Sequence, residues 1–341
     1  MISVKKVYGV AIMAALLLAT VATAQPLHLQ PGSALVYPLF DSSPGAGTII
    51  CVTNVNTTNV YCEGSDYRSG DILVHYQYVA GDDCLEFDRY EFLTPGDTLC
   101  VLADLHNPEQ DKGFLVIAAA DPETYEKIDF DYLIGSAILV QSDLNFLWAY
   151  TPYAFLGEAD EEDPDADEDV CAEDRDRTDK DNDSAMDFDG KEYSTFPEVL
   201  YIDSFFEERN NFTNQLTLMS TAGQDYINEV NFWFWNNIEV KFSRTLKFVC
   251  WWSGTLAEIS QVVTSLNGDE EEMGHPPVQT GWAQIEGNRI LDLAGNPVDT
   301  LVPPLLGVFA QFITSSDFAS GHALHYSGSI DGLEILNGNG E

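Results

Sequence analysis

Short apolar runs separated by turn-forming residues dominate the chain beyond its first two dozen positions. In residues 25–157 the runs are 48–53, 72–79, 98–102, 114–118 and 137–140, with Ser43-Pro44-Gly45, Thr94-Pro95-Gly96-Asp97 and Asn107-Pro108 between them. No stretch here shows the 3.6-residue spacing of an amphipathic helix. Several short strands punctuated in this way predict an antiparallel sandwich or barrel.

Residues 193–341 follow the same plan, with strands expected at 230–235, 238–242, 246–252, 282–285, 306–313 and 322–326. Side chains two apart share a sheet face. Val230, Phe232 and Phe234 should therefore point inward, followed, after an Asn236-Asn237 turn, by Ile238, Val240 and Phe242. Each block opens on an aromatic-rich extended segment, LVYPLFD at 35–41 and VLYIDSFF at 199–206. Near its end each carries Leu-x-Gly, as Leu133-Ile134-Gly135 or Leu305-Leu306-Gly307, and then an aromatic strand. Duplication and a chance likeness of β-patterns both account for this.

The first 24 residues differ in kind. Lys5 and Lys6 precede an apolar run at 7–19, and Ala22-Thr23-Ala24 supplies the small residues a signal peptidase prefers before Gln25. The run is too short to span a bilayer, which takes about 20 residues. The expectation is a cleaved signal at 1–24 and an exported chain with no integral membrane segment.

The 56 acidic and 15 basic residues give a formal charge of −41, which argues against nucleic acid or anionic lipid as a partner. Segment 158–192 holds 18 acids and 4 bases and has little to bury. It is expected to be a linker without a core of its own. The other domains are then 25–157 and 193–341.

Six cysteines, Cys51, Cys62, Cys84, Cys100, Cys171 and Cys250, favour disulfides in an exported chain and show no zinc-binding spacing. A hairpin turning at Asn56-Thr57 would set Cys51 opposite Cys62, the bridge expected here. Nucleophile-elbow, phosphate-loop and HExxH motifs are absent from the sequence. His322 and His325, three apart, fall on opposite faces of a regular strand and would share a metal only in a loop or helix. His28, His75, His106 and His275 read as surface or packing residues. Glu229 with Glu239 could be imagined as a glycosidase pair, though nothing selects them among so many acids.

Two constellations stand out. If Phe232 and Phe234 face the core, Trp233 and Trp235 face outward, joined by Trp251, as a platform for sugar or a partner domain. The other is Asp179-Lys180-Asp181-Asn182-Asp183-Ser184-Ala185-Met186-Asp187. Carboxylates at positions one, three and five can share one ion. The Ala185 carbonyl at seven and Asp187 at nine would complete an oxygen shell for calcium. Ser184 stands where glycine is usual, and a plain solvated acidic linker is the other reading.

Two resemblances add to this. Val52-Thr53-Asn54, Cys84-Leu85-Glu86-Phe87, Leu93-Thr94-Pro95-Gly96-Asp97-Thr98 and Gly113-Phe114-Leu115-Val116 make residues 35–157 resemble a recurring type of secreted bacterial β-rich protein. That likeness implies export and a β-rich fold and names no catalytic residue. Residues 179–187 resemble the calcium loops of thrombospondin type 3 repeats. The sequence thus predicts an all-β protein, two tandem antiparallel sandwiches joined by an acidic linker. Its expected role is an exported, non-enzymatic structural or adhesive component of the cell surface or matrix, partnered by itself or a surface polysaccharide. A carbohydrate-binding module and an exported hydrolase are the alternatives.

Overall fold

The computed structural model describes residues 30–61, 66–141, 146–158, 177–180, 185–208, 211–264, 266, 279–298, 302–316 and 318–330. In the first half the strands are β1 (Ala34–Asp41), β2 (Ala46–Asn54), β3 (Ile72–Ala80), β4 (Glu86–Leu93), β5 (Thr98–Leu102), β6 (Lys112–Ala120), β7 (Leu133–Gln141), β8 (Phe146–Tyr150) and β9 (Tyr153–Phe155). The second half contributes β10 (Val199–Phe206), β11 (Phe212–Ser220), β12 (Tyr226–Asn236), β13 (Lys241–Phe248), β14 (Trp251–Gly254), β15 (Thr280–Asp292), β16 (Leu305–Ile313), β17 (Phe318–Ala323) and β18 (His325–Ser327).

These strands make four antiparallel sheets, ordered β4-β3-β6-β1-β9 and β5-β2-β7-β8, then β13-β12-β15-β10-β18 and β14-β11-β16-β17. Adding nine to each strand number of the first half gives the second half without exception. One irregularity repeats too. The pairing of β1 with β6 slips between Tyr37 and Phe40, and that of β10 with β15 slips between Ile202 and Phe205. A one-turn helix follows β5 (Ala103–His106) and another follows β14 (Leu256–Ile259). The two halves are therefore one sandwich plan used twice.

Pairing registers align the halves residue by residue. Gly135 lies opposite Val52, and Gly307 opposite Leu218, so the shared Leu-x-Gly opens equivalent strands. In each half the inward residues alternate with outward ones. Leu35, Tyr37, Ile50, Val52, Tyr76 and Tyr78 fill the first core, and Phe205, Leu216, Phe232, Phe234, Ile285 and Phe309 fill the second.

β16 departs from the half-buried pattern because both its faces are covered. Leu305 and Phe309 belong to the second core, while Leu306, Val308, Ala310 and Phe312 pack on the first half. Phe312 meets Phe146 with ring centroids 4.9 Å apart. The Tyr153 hydroxyl donates toward the Gly307 and Leu324 carbonyls, at 2.8 and 3.0 Å. Trp251 Nε1 donates to the Pro38 carbonyl at 2.9 Å, and a disulfide joins Cys84 to Cys250.

Three expectations need correction. Cys51 is bonded to Cys100, not Cys62, because β2 has β5 as its neighbour and these two residues are direct cross-strand partners with Cα atoms 4.1 Å apart. Paired strand positions at about 4.5–5.5 Å suit a disulfide, so the geometric reason holds for a different pair; Cys62 and Cys171 lie outside the described residues. Ile238 and Val240 are exposed at 49% and 52%, since the turn extends through Glu239, whose φ is +64°. Phe242 alone of that trio reaches the core side, stacking on Phe234. Segment 158–192 is not without a core throughout. Ala185, Met186 and Phe188 are buried, and the last two cover Val36 and Val116 on the outer face of the first five-stranded sheet, together with Tyr193 and Phe196.

Candidate functional site

The outer face of the β13-β12-β15-β10-β18 sheet carries the aromatic strip. Phe232 and Phe234 are fully buried, whereas Trp233 and Trp235 are half-buried on the opposite face. Register adds a residue that strand alternation alone did not reveal: Trp282 of β15 lies opposite Trp235, and the two indoles stack at 3.9 Å with planes 2° apart. Lys241 Nζ sits 3.9 Å from the Trp233 ring centroid and 4.9 Å from that of Trp235. Such cation–π contacts stabilise exposed sites by about 0.5–1 kcal/mol. Lys241 thus takes one face of Trp233, and Trp235 stacks on Trp282, which is itself 38% exposed. Trp251 does not join this strip. The apolar run 246–252 is two strands, and its chain crosses to the other sheet at Val249-Cys250, which places Trp251 at the junction between the halves.

Glu229 and Glu239 do not form a catalytic pair. Glu229 is buried beside Lys247 at 2.9 Å and Arg289 at 2.7 Å, and accepts from Asn288. Burial alone would raise its pKa, but the hydrogen bonds from Arg289, Lys247 and Asn288 outweigh that and hold it at about 2. Such a carboxylate is a structural ion-pair partner. His75 stacks on Tyr90, and buried His106 pairs with Tyr78 and Glu91, as packing residues do; His28 and His275 lie outside the described residues.

Of the calcium-loop residues, Asp181 and Asp183 lie outside the described residues. The Lys180 and Asp187 amides donate to the Glu192 carboxylate at 2.7 and 3.2 Å. The Ala185 carbonyl, assigned to the ion above, accepts from Lys127 Nζ at 3.2 Å. Nearby, Gly157 bridges to Tyr193 and donates to Asp131. Burial, then the charge of Asp129, pushes the Asp131 pKa up to about 6. Asp129, Asp179 and Glu192 also raise that of the Tyr193 hydroxyl, after burial.

The two histidines set aside above are brought together. Opposite faces follow only within one regular strand, but β17 ends at Ala323 and β18 begins at His325, with Leu324 carrying the chain between sheets. His322 therefore pairs with Phe309 in one sheet and His325 with Tyr201 in the other. Both face Asp203, which lies in the β10 irregularity, at 3.6 Å from His322 Nε2 and 3.8 Å from His325 Nε2. Burial, partly offset by Asp203, lowers the His322 pKa and favours its neutral form.

A cleft of about 320 Å³ opens between the halves, lined by Lys112, Gln141, Asn214, Gln215, Trp251 and Phe312 among others. No protein-family model matches the chain, and no curated protein does. Among solved structures, a chain from the structure of the infectious bursal disease virus Gx strain aligns at 11% identity over 88% of this chain and 64% of its own, with a TM-score of 0.15. This chain thus spans less than two thirds of that one, and so low a score carries no argument.

Proposed function

We propose that this chain is an exported, non-enzymatic structural protein of the cell surface or matrix that assembles head to tail with copies of itself. The observation that carries the reading is the outer face of the β5-β2-β7-β8 sheet. Register sets out its rows as Leu102, Ile49, Ile138 and Ala149; Gly47, Val140 and Leu147; Cys100, Cys51 and Ser136; and Thr98, Thr53 and Ile134. No charged side chain stands in these rows, on a chain of formal charge −41. Ile134, Val140 and Leu147 are 41%, 38% and 63% exposed.

Ile134, Ser136, Ile138 and Val140 are the equivalents of Leu306, Val308, Ala310 and Phe312, which the second half buries against the first. A second copy repeating that junction would cover the exposed face. Where Phe312 meets Phe146 within the chain, Val140 would meet the next copy's Phe318, which is 56% exposed. Such a contact joins unlike surfaces and propagates as an open filament unless the rotation closes it into a ring. Net charge opposes association and salt screens it. Sedimentation velocity across a concentration series in moderate salt is expected to show growing oligomers, with Ile138→Asp/Val140→Asp weakening association by more than about tenfold and leaving circular dichroism unchanged. A wild-type chain monomeric throughout, or a variant that associates equally well, would overturn the reading.

The two disulfides are compatible with an oxidising compartment and so with export. Calcium belongs to the same reading, supported by the charge of segment 158–192 and the acids crowding the Gly157–Tyr193 bridge. Limited proteolysis is expected to cut that segment more slowly in millimolar calcium than in chelator, an effect lost in Asp181→Ala/Asp183→Ala. Equal rates would leave a solvated acidic linker. The carbohydrate-binding alternative rests on the exposure of Trp282.

A further inference from the structure

Asp203, His322 and His325 offer one carboxylate oxygen and two imidazole nitrogens, all within 4.8 Å of one another. We propose that these three side chains bind a divalent transition-metal ion, with zinc as the probe.

Three observations support the site. At 3.6 and 3.8 Å, neither histidine nitrogen is within hydrogen-bonding distance of Asp203, and the His322 Nε2 atom is buried with no hydrogen-bond partner. A buried ring nitrogen without a partner is costly, and a metal bond would satisfy it. Zinc bonds of about 2.0–2.1 Å in a tetrahedral shell set neighbouring ligand atoms roughly 3.3 Å apart. With one atom from each residue the set lies within 4.8 Å, so closing to a tetrahedral shell takes a contraction of at most about 1.5 Å, which His325, 61% exposed, can supply by rotation.

The Ser204 amide donates to Asp203 Oδ1, the oxygen nearer His322, at 2.7 Å and fixes the carboxylate, while Oδ2 lies nearer His325. Two imidazoles and a carboxylate are a nitrogen-rich set that suits zinc, copper or nickel rather than calcium or magnesium. The exposure of His325 leaves the remaining coordination positions to water.

The repeat provides an internal contrast. The equivalents of Asp203, His322 and His325 in the first half are Pro38, Tyr150 and Tyr153. Tyr150 there takes the Leu39 amide at 3.1 Å and donates to the Leu39 carbonyl, knitting up the same irregularity in β1. The second half has exchanged that packing for three ligand-type side chains at the corner where the chain changes sheets. Because Pro38 and Tyr153 lie at the junction between the halves, the same equivalence puts this site on the surface a next copy would cover, so its metal binding is read on the monomeric chain.

The test is zinc titration of the full exported chain by calorimetry, with millimolar magnesium and calcium present to occupy carboxylate-only sites. One zinc per chain is expected, with His325→Ala and Asp203→Asn each weakening it by more than about tenfold and His322→Ala/His325→Ala abolishing it. His325→Ala alters an exposed side chain, so its fold is expected to persist, checked by circular dichroism. Cobalt substitution should give the intense visible bands of a low-coordinate site in the wild type alone. Absence of zinc binding, or a stoichiometry unchanged in the double histidine variant, would overturn the proposal.

Discussion

Replacing Cys84 and Cys250 by serine is expected to lower the unfolding free energy by up to about 5 kcal/mol, the value the chain-entropy model gives for so long a loop. The two cysteines are 166 positions apart and join one half to the other. Cys250 is also buried, in the cluster that holds Met219, Leu306 and Phe114. A serine hydroxyl there would find only the Ala80 carbonyl, 3.8 Å from Sγ, which already accepts the Cys84 amide, so alanine is the gentler control. Chemical denaturation read by tryptophan fluorescence and by far-ultraviolet dichroism decides the matter. Coincident transitions in the wild type should separate in the variant, as each sandwich unfolds nearer its own midpoint. A variant that unfolds within about 1 kcal/mol of the wild type would show that apolar packing alone holds the halves together.

The second large effect is expected at Trp148. Its ring is 4% exposed, lies in the first core and presses on the backbone of Gly321 in β17. A Cβ at Gly321 would come within 2.1 Å of Trp148 Cε3. Trp148→Ala should cost about 3–5 kcal/mol, as large-to-small core changes do. Trp148→Phe should cost less, because it removes an indole N–H that is buried without a partner. Gly321→Ala should destabilise in the wild type and do so less in the Trp148→Ala background, where the ring has gone. The double-mutant cycle measures that coupling, and additive effects would mean that ring and glycine do not share the space.

Much of this architecture was legible from the alternation of apolar and polar residues. The runs 48–53, 72–79, 98–102, 114–118 and 137–140 all fall inside strands, because each has at least one face in a core. β4, EFDRYEFL, was not legible, since as an edge strand it presents charged and exposed side chains at most positions. The run LKFVCWW gave no sign of its break, because the chain is apolar across it, from Phe248 through Val249 and Cys250 to Trp251 and Trp252, and the change of sheet leaves no turn residue behind. The same kind of step at Leu324 hid the meeting of His322 and His325. Alternation predicts faces only while a strand stays in one sheet. Partners also lie beyond it: Cys51 and Cys100, or Trp235 and Trp282, become neighbours through strand order, which local spacing does not encode. Duplication was visible as paired landmarks and became definite only through strand order and the repeated irregularity.

The Cys84–Cys250 bond also determines how the molecule carries mechanical load. Tension applied on either side of the bridged positions passes through the sulfur atoms, so the intervening chain, acidic segment included, is shielded from stretching while the bond is intact. A protease that severs that segment likewise leaves one covalent molecule. The cut becomes visible only after reduction, and a thiol-rich environment would turn a silent nick into a separation of the two halves.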